Sequence, residues 1–247
     1  MNIQAYVIAI DFFVMMAAAV IQTSLGIGFS MIASPILTLF IPMKTCMAAV
    51  SIAAVIVGSY IVLSLRKHLN WKLAIPAAIG LTSGRVLGVQ LLMLLGNGAL
   101  LKHAFGVLLV LFSGYFFFSR KHGGLKIRGT AFMGAALGFA AGILGGLFNA
   151  PGPIMAIYFI SVCENKYEYT ATMNLAFFPS AVAASLTHYA YGNISPELIK
   201  LSLINLIAIS LGVLLGLIAF KKLKKSTVEV GLNLMLIVMG STLILLP

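Results

Sequence analysis

Acidic side chains are scarce in this chain: five Asp and Glu among 247 residues, against sixteen Lys and Arg. Four of the five, Glu164, Glu168, Glu197 and Glu229, fall in or beside breaks in the apolar pattern, which leaves Asp11 as the one carboxylate at depth. Chemistry that needs two neighbouring carboxylates, such as aspartyl proteolysis, is thereby excluded. Cysteine is scarcer still. Cys46 and Cys163 show no CxxC or metal-ligand spacing, so no disulfide framework or metal site is expected and both read as inert packing residues. No GxxxxGK[ST] loop is present to cradle a nucleotide phosphate, and no HExxH helix to hold a zinc. With no catalytic residues, no metal and no cofactor indicated, the chain does not read as an enzyme.

Apolar surface is what the chain has in excess. Hydrophobic residues make up 61% of it, charged residues 9%, and the mean hydropathy is +1.10. Apolar runs of about 20 residues recur from end to end, long enough at 1.5 Å per helical residue to cross a hydrocarbon core of about 30 Å. The expected fold class is an all-α polytopic membrane protein with about 8–10 membrane helices, its partner being the lipid bilayer. The first segment has no basic leader or small-residue cleavage site, so it is expected to remain in the fold. A net charge of +11 does not signal a nucleic-acid partner, because the basic residues punctuate apolar segments instead of clustering on one solvated surface. The expected location is the prokaryotic inner (plasma) membrane.

Breaks where Gly, Pro, Asn and charge coincide divide the chain into segments near 3–24, 29–41, 45–65, 72–95 and 100–119, then 129–145, 148–161, 167–191, 196–220 and 227–246. The basic stretch Arg120–Arg128 is the longest polar run and separates residues 1–119 from 129–247. The two halves share punctuation. Gln22-Thr-Ser-Leu-Gly-Ile-Gly28 followed by Ser34-Pro35 has a counterpart in Gly142-Ile-Leu-Gly-Gly146 followed by Asn149-Ala-Pro-Gly-Pro153. Gly84 and Gly88 match Gly212 and Gly216, and Gly106 and Gly114 fall near where Gly231 and Gly240 recur. An internal duplication follows.

Charge sets the orientation of the two repeats. The loop with Arg66, Lys67 and Lys72 is basic and its partner around Gly192–Ile194 is neutral, whereas the loop near Lys102 is weakly charged and its partner Lys221–Lys225 is strongly basic. The bias reverses between halves. By the positive-inside rule, residues 66–72, 120–128 and 221–225 face the cytoplasm, both termini face out, and the repeats are inverted. Each repeat opens with a helix pair interrupted by Gly and Pro, which either spans fully or is re-entrant. Inverted repeats with such interruptions point to a secondary transporter with a site near the midplane, and inward helix N-termini favour an anion.

The duplicated segments TSLGIGFSMIASP and GILGGLFNAPGP, with the chain length and helix count, resemble the sulfite exporter TauE/SafE family of membrane anion transporters. That resemblance implies transport of sulfite, organosulfonates or related sulfur-containing or organic anions. The first repeat ends Ala33-Ser34-Pro35 and lacks the Asn and second Pro of Asn149-Ala-Pro-Gly-Pro153, so the second repeat carries more of the site.

Arg85 is the one basic residue that no loop accommodates. It lies about 20 Å of helix rise from Lys72 and about 16 Å from Gly96, beyond comfortable snorkelling. A cation there costs roughly 2.5–3.5 kcal/mol or more, so it is expected to face protein or a cavity. Gly80, Gly84 and Gly88 form a stripe beside it for close helix packing. Arg85 reads as the fixed charge of an anion site, or alternatively as the partner of Asp11 in a structural ion pair. The other candidate binding residues are Asn149, Gln22, Ser24, Ser34 and Asn174, with the backbone positions Gly26, Gly28, Gly145, Gly146, Pro151 and Gly152. Asp11 is the proton-coupling candidate, and His188 reads as interfacial. An anion-selective channel is the rival reading, since an arginine and inward dipoles also make a pore. The sequence leaves open which anion is moved, the direction of transport, the coupling ion and the oligomeric state.

Overall fold

The computed structural model describes residues 5–96, 98–122, 127–222 and 225–245. The described residues form ten α-helices: α1 Ala5–Leu25, α2 Phe29–Leu37, α3 Met43–Ser64, α4 Trp71–Leu95, α5 Ala99–His122, α6 Ala131–Phe148, α7 Gly152–Val162, α8 Lys166–Ala190, α9 Pro196–Lys222 and α10 Lys225–Leu245. The described residues contain no strand. Six of the described helices, α1, α3, α4, α5, α6 and α9, are long and apolar enough to cross a membrane. Helix α8 matches them in length but carries Lys166, Glu168 and a run of buried Thr, Asn and Ser, which lowers its hydropathy. The protein is an integral membrane protein of helices alone. Residues 123–126 of the basic linker, 223–224 of the Lys221–Lys225 loop and both chain ends lie outside the described residues.

Helices α2 and α7 are short, 9 and 11 residues, which at 1.5 Å per residue carry the chain only about halfway through the hydrocarbon. Each opening pair is one full-length helix and one half-length return. The first break is made by glycine, Gly26 at φ 82° and Gly28 at φ 118°, conformations that cost a residue with a Cβ. The second break falls later than the sequence suggests. Gly145 and Gly146 stay helical, and α6 ends at Asn149, which takes φ 53°. The Asn149 N–H donates to Gly145 O and the Ala150 N–H to Leu144 O, an αL-type cap in which asparagine tolerates the left-handed turn.

The packing pairs each half with the other. Helix α4 lies along α6, and α1 lies along α9, while α3 meets α8 and α5 meets α10. This scheme maps onto itself when the five helices of one half are exchanged for those of the other. The glycines explain how closely the helices approach. A Cβ at Gly80 would overlap the Ala135 carbonyl and one at Gly84 the Phe139 carbonyl, and α6 returns the contact through Gly138, Gly142 and Gly146. On α9, Gly212 meets the Met16 carbonyl and Gly216 meets Thr23 of α1. Gly106 and Gly240 face each other across α5 and α10, with each Cβ position under 3.0 Å from the other's carbonyl, while Gly114 has open space.

Contacts between loops define two faces. Asn70 Nδ2 donates to Glu168 Oε1 at 2.7 Å, Gly129 packs on Val162 and Leu73, and Lys166 Nζ donates to Phe220 O at 3.1 Å. The ends of α3, α7 and α9 thus share one face with the starts of α4, α6 and α8, and the loops rich in Lys and Arg belong to it. On the opposite face Lys44 Nζ donates to Met93 O at 3.2 Å and Asn193 reaches Met93. Both cysteines are packing residues here. Cys46 is fully buried, and burial, followed by the Glu168 carboxylate, pushes the Cys163 thiol up to about 12, where it is protonated and unreactive.

Candidate functional site

The two breaks meet in the middle of the molecule. The position of a Gly152 Cβ lies 3.4 Å from Met31 Sδ and 3.7 Å from Ile27 Cβ, so the first turns of α2 and α7 face one another. They line a space of about 30 Å³, large enough for water, together with Gln22, Arg85, Asn149 and Asn174. The Phe29 N–H at the start of α2 donates to the Gln22 side chain, and Pro153 in the first turn of α7 has no N–H. The remaining first-turn N–H groups have no partner within their own helices, and the two positive dipole ends lie at this space.

Arg85 is 2% exposed, and every hydrogen bond it makes goes to a neutral group. Its Nη2 donates to Asn149 Oδ1 at 2.5 Å and to Ser51 Oγ at 3.4 Å, and its Nη1 to Ser180 Oγ at 3.5 Å. Ser51 also donates to Asn149 Oδ1 at 3.2 Å, and Asn149 Nδ2 donates to Met47 O at 3.0 Å. Two helices and one break converge on the guanidinium, yet none brings a carboxylate. The cluster keeps a full positive charge in a low-dielectric surrounding, where an anion gains most.

The first break is held by amides. Gln22 Nε2 donates to Asn174 Oδ1 at 2.9 Å and to Gly26 O at 3.2 Å, while Gln22 Oε1 accepts from the Phe29 N–H at 3.0 Å. Asn174 Nδ2 donates to Thr170 O at 2.8 Å and to Gly26 O at 3.3 Å. The two breaks are equivalent in a further respect. Gly26 and Asn149 are separated in sequence by the same distance as Ser51 and Asn174, and each break residue is bonded by the third helix of the other half.

Of the thirteen residues singled out from sequence, seven line the space: Arg85, Asn149, Gln22, Asn174, Gly28, Pro151 and Gly152. Gly26 stands just behind, offering its carbonyl to the amide clamp. The other five lie elsewhere. Ser24 donates back to Val20 O and lines a separate cavity of about 260 Å³ toward the basic face, between α1, α7, α8 and α9. Ser34 is fully buried in α2 with an unpartnered hydroxyl. Gly145 packs on Pro151 and Gly146 on the α4 backbone. Asp11 is 1% exposed, and neither of its oxygens forms a hydrogen bond; Asn205 of α9 is the side chain that interacts with it, and Asn205 Oδ1 also lacks a donor. The Arg85–Asp11 ion pair is not formed.

Ser51 and Ser180, which share Arg85 with Asn149, escape a reading of the sequence, because lone serines in apolar helices commonly bond to their own backbone. His188 is the clear correction. It sits near the end of α8 as anticipated, yet it is 0% exposed, packed inside the protein.

The fold is that of a polytopic helical membrane protein with a buried arginine beside two helix breaks. The model of the sulfite exporter TauE/SafE family matches residues 11–243, and the chain belongs to that family. Its members are transporters and not enzymes, moving sulfite and related anions across a membrane. No curated protein and no solved structure matches the chain.

Proposed function

We propose that this protein is a secondary transporter of small oxyanions, with sulfite and organosulfonates as the first candidates, and that its substrate is held at the Arg85 space. The observation that carries the reading is the guanidinium itself, surrounded only by Ser51, Asn149 and Ser180 and flanked by the N-termini of α2 and α7. Residues 1–119 and 129–247 are read as inverted repeats joined by the linker 120–128. The self-mapping packing and the shared face of the basic loops support this reading. That face is assigned to the cytoplasm by the positive-inside rule, in the prokaryotic inner membrane. Transport proceeds by alternating access: one repeat's hairpin moves against the other, and the substrate passes between the first turns of α2 and α7. Asp11, an unpaired buried carboxylate opposite Asn205, is the site of a coupling proton.

The test uses purified protein and its Arg85→Gln and Arg85→Lys variants. Sulfite, thiosulfate, sulfoacetate, sulfate and short carboxylates are screened by thermal unfolding. A ligand at 100 times its Kd adds about 2.7 kcal/mol to the stability of the wild type. Stabilisation is expected in the wild type and lost or sharply reduced in both variants. Equal stabilisation of folded Arg85→Gln would overturn the site. Counterflow in proteoliposomes without conductance supports a carrier, and single-channel conductance would establish the rival pore.

A further inference from the structure

The Arg85 centre has a second polar neighbour on its far side. Ser180, Ala184 and His188 lie along one buried stripe of α8. Ser180 touches Arg85 Nη1, and His188 follows about 12 Å further along the helix toward the face opposite the basic loops. His188 Nδ1 lies 3.5 Å from Asn193 Nδ2, which is itself 3.1 Å from Met93 Sδ. Asn193 and Met93 are walls of an open cavity of about 500 Å³, which Lys44, Gln90 and Tyr191 also line. His188 thus stands between the central space and a wide vestibule, and Arg85 is the charged group that acts on it electrostatically.

The donors around it do not balance. The Asn193 amide nitrogen faces Nδ1, and the tautomer that accepts there carries its ring proton on Nε2. That Nε2 is buried without a partner, and so is Arg85 Nε. Buried polar groups in folded proteins are ordinarily paired, and two orphaned donors that interact electrostatically, with no carboxylate bonded to either, call for an acceptor from outside the chain. Cations fit poorly here.

We propose that His188 Nε2–H and Arg85 Nε–H form a second contact for a small oxyanion, through which substrate moves between the Arg85 centre and the Lys44–Asn193 vestibule. This rests on the anion-transport reading of the centre. The anion accepts hydrogen bonds from both donors in passing, and no covalent step is involved.

The test reconstitutes His188→Leu, His188→Gln, Asn193→Leu and Arg85→Gln beside the wild type and follows exchange of radiolabelled sulfite, thiosulfate or sulfoacetate. Leu removes the donor while filling the volume, so the empty His188→Leu protein is expected to unfold at a higher temperature than the wild type. Its exchange is expected to slow by roughly tenfold or more, the effect of one hydrogen bond to a charged group. Gln returns an amide donor and is expected to recover much of the rate. Wild-type exchange in folded His188→Leu, with Arg85→Gln inactive, would overturn the second contact and leave the centre standing. No exchange by the wild type, or full exchange by Arg85→Gln, would instead remove the reading beneath it. If His188→Leu fails to fold, Asn193→Leu decides: it frees the ring without replacing it, and a several-fold loss of exchange is expected, whereas an unchanged rate would refute the proposal.

Discussion

The two breaks share a backbone plan and differ in what they do with it. At the first, glycine makes the turn, the Gly26 carbonyl is the functional group, and Gln22 and Asn174 grip it from two helices. At the second, asparagine makes the turn, and its side chain holds Arg85. The seams behind them differ in the same sense. Helix α6 beside the second break meets α4 glycine against glycine, whereas α1 beside the first meets α9 with glycine on only one side. The break that meets the charge is also the one backed by the closest backbone approach. A guanidinium in a low-dielectric interior needs fixed dipoles around it, and fixed dipoles need a rigid backbone.

The comparison can be broken most severely at the seams. Gly84→Ala drives a methyl group into the Phe139 carbonyl, backbone against backbone, and is expected to cost about 3 kcal/mol or to prevent folding. Gly216→Ala meets the side chain of Thr23 first, at 2.6 Å, and is expected to cost less, about 1–2 kcal/mol. Thermal unfolding of the two in one detergent checks the order, and equal costs would erase the claimed asymmetry.

At the charge itself, Arg85→Lys keeps the cation but loses the planar fork that reaches Ser51, Asn149 and Ser180 together. Transport is expected to fall by roughly tenfold to a hundredfold, the range for losing hydrogen bonds to a charged group, with the protein still folded. Initial rates in proteoliposomes measure it.

Asn149→Asp sharpens the contrast between the breaks. The side chain is isosteric and still accepts from Arg85, so folding is expected to survive, but the guanidinium gains an internal counter-charge. Anion-induced thermal stabilisation should then disappear. The corresponding change at the amide clamp, Asn174→Asp, adds a carboxylate that Arg85 does not contact and should weaken anion binding less. Equal losses in the two variants would mean that the Arg85–Asn149 contact has no special place.

A smaller effect separates the clamp from the charge. Gln22→Ala, Asn174→Ala and their combination form a double-mutant cycle, expected to give a coupling of about 1 kcal/mol in stability for the 2.9 Å bond. The smallest effect lies at Gly114, which has nothing within 4 Å of its Cβ position. Gly114→Ala is expected to leave transport alone and to stabilise the helix by up to about 1 kcal/mol.

Much of the fold was legible because apolar length and punctuation are local properties. All ten helices fall where hydropathy and breaks place them, mostly within two or three residues. The end of α2, at Leu37 instead of near 41, and the second break are the exceptions. Gly145 and Gly146 look like a helix breaker in isolation, but in the fold they are the small surfaces that let Pro151 and α4 come close. The site was legible in part. Arg85, Asn149, Gln22 and Asn174 stood out as polar groups at depth, while Ser51, Ser180 and the full burial of His188 depended on which helices cross.

The sequence by itself determined that the protein is a helical membrane protein, where its helices run, and that one cation lies in the apolar interior. These follow from hydropathy, helix rise and the cost of burying charge, each acting along the chain. The tertiary structure decided what that cation faces. Arg85 was free to pair with Asp11 on sequence grounds. The packing of α4 on α6 and α8 instead surrounds it with neutral oxygens, and the packing of α1 on α9 sets Asp11 against Asn205. Choice of partner is a property of helix crossings, which residue order does not encode one position at a time.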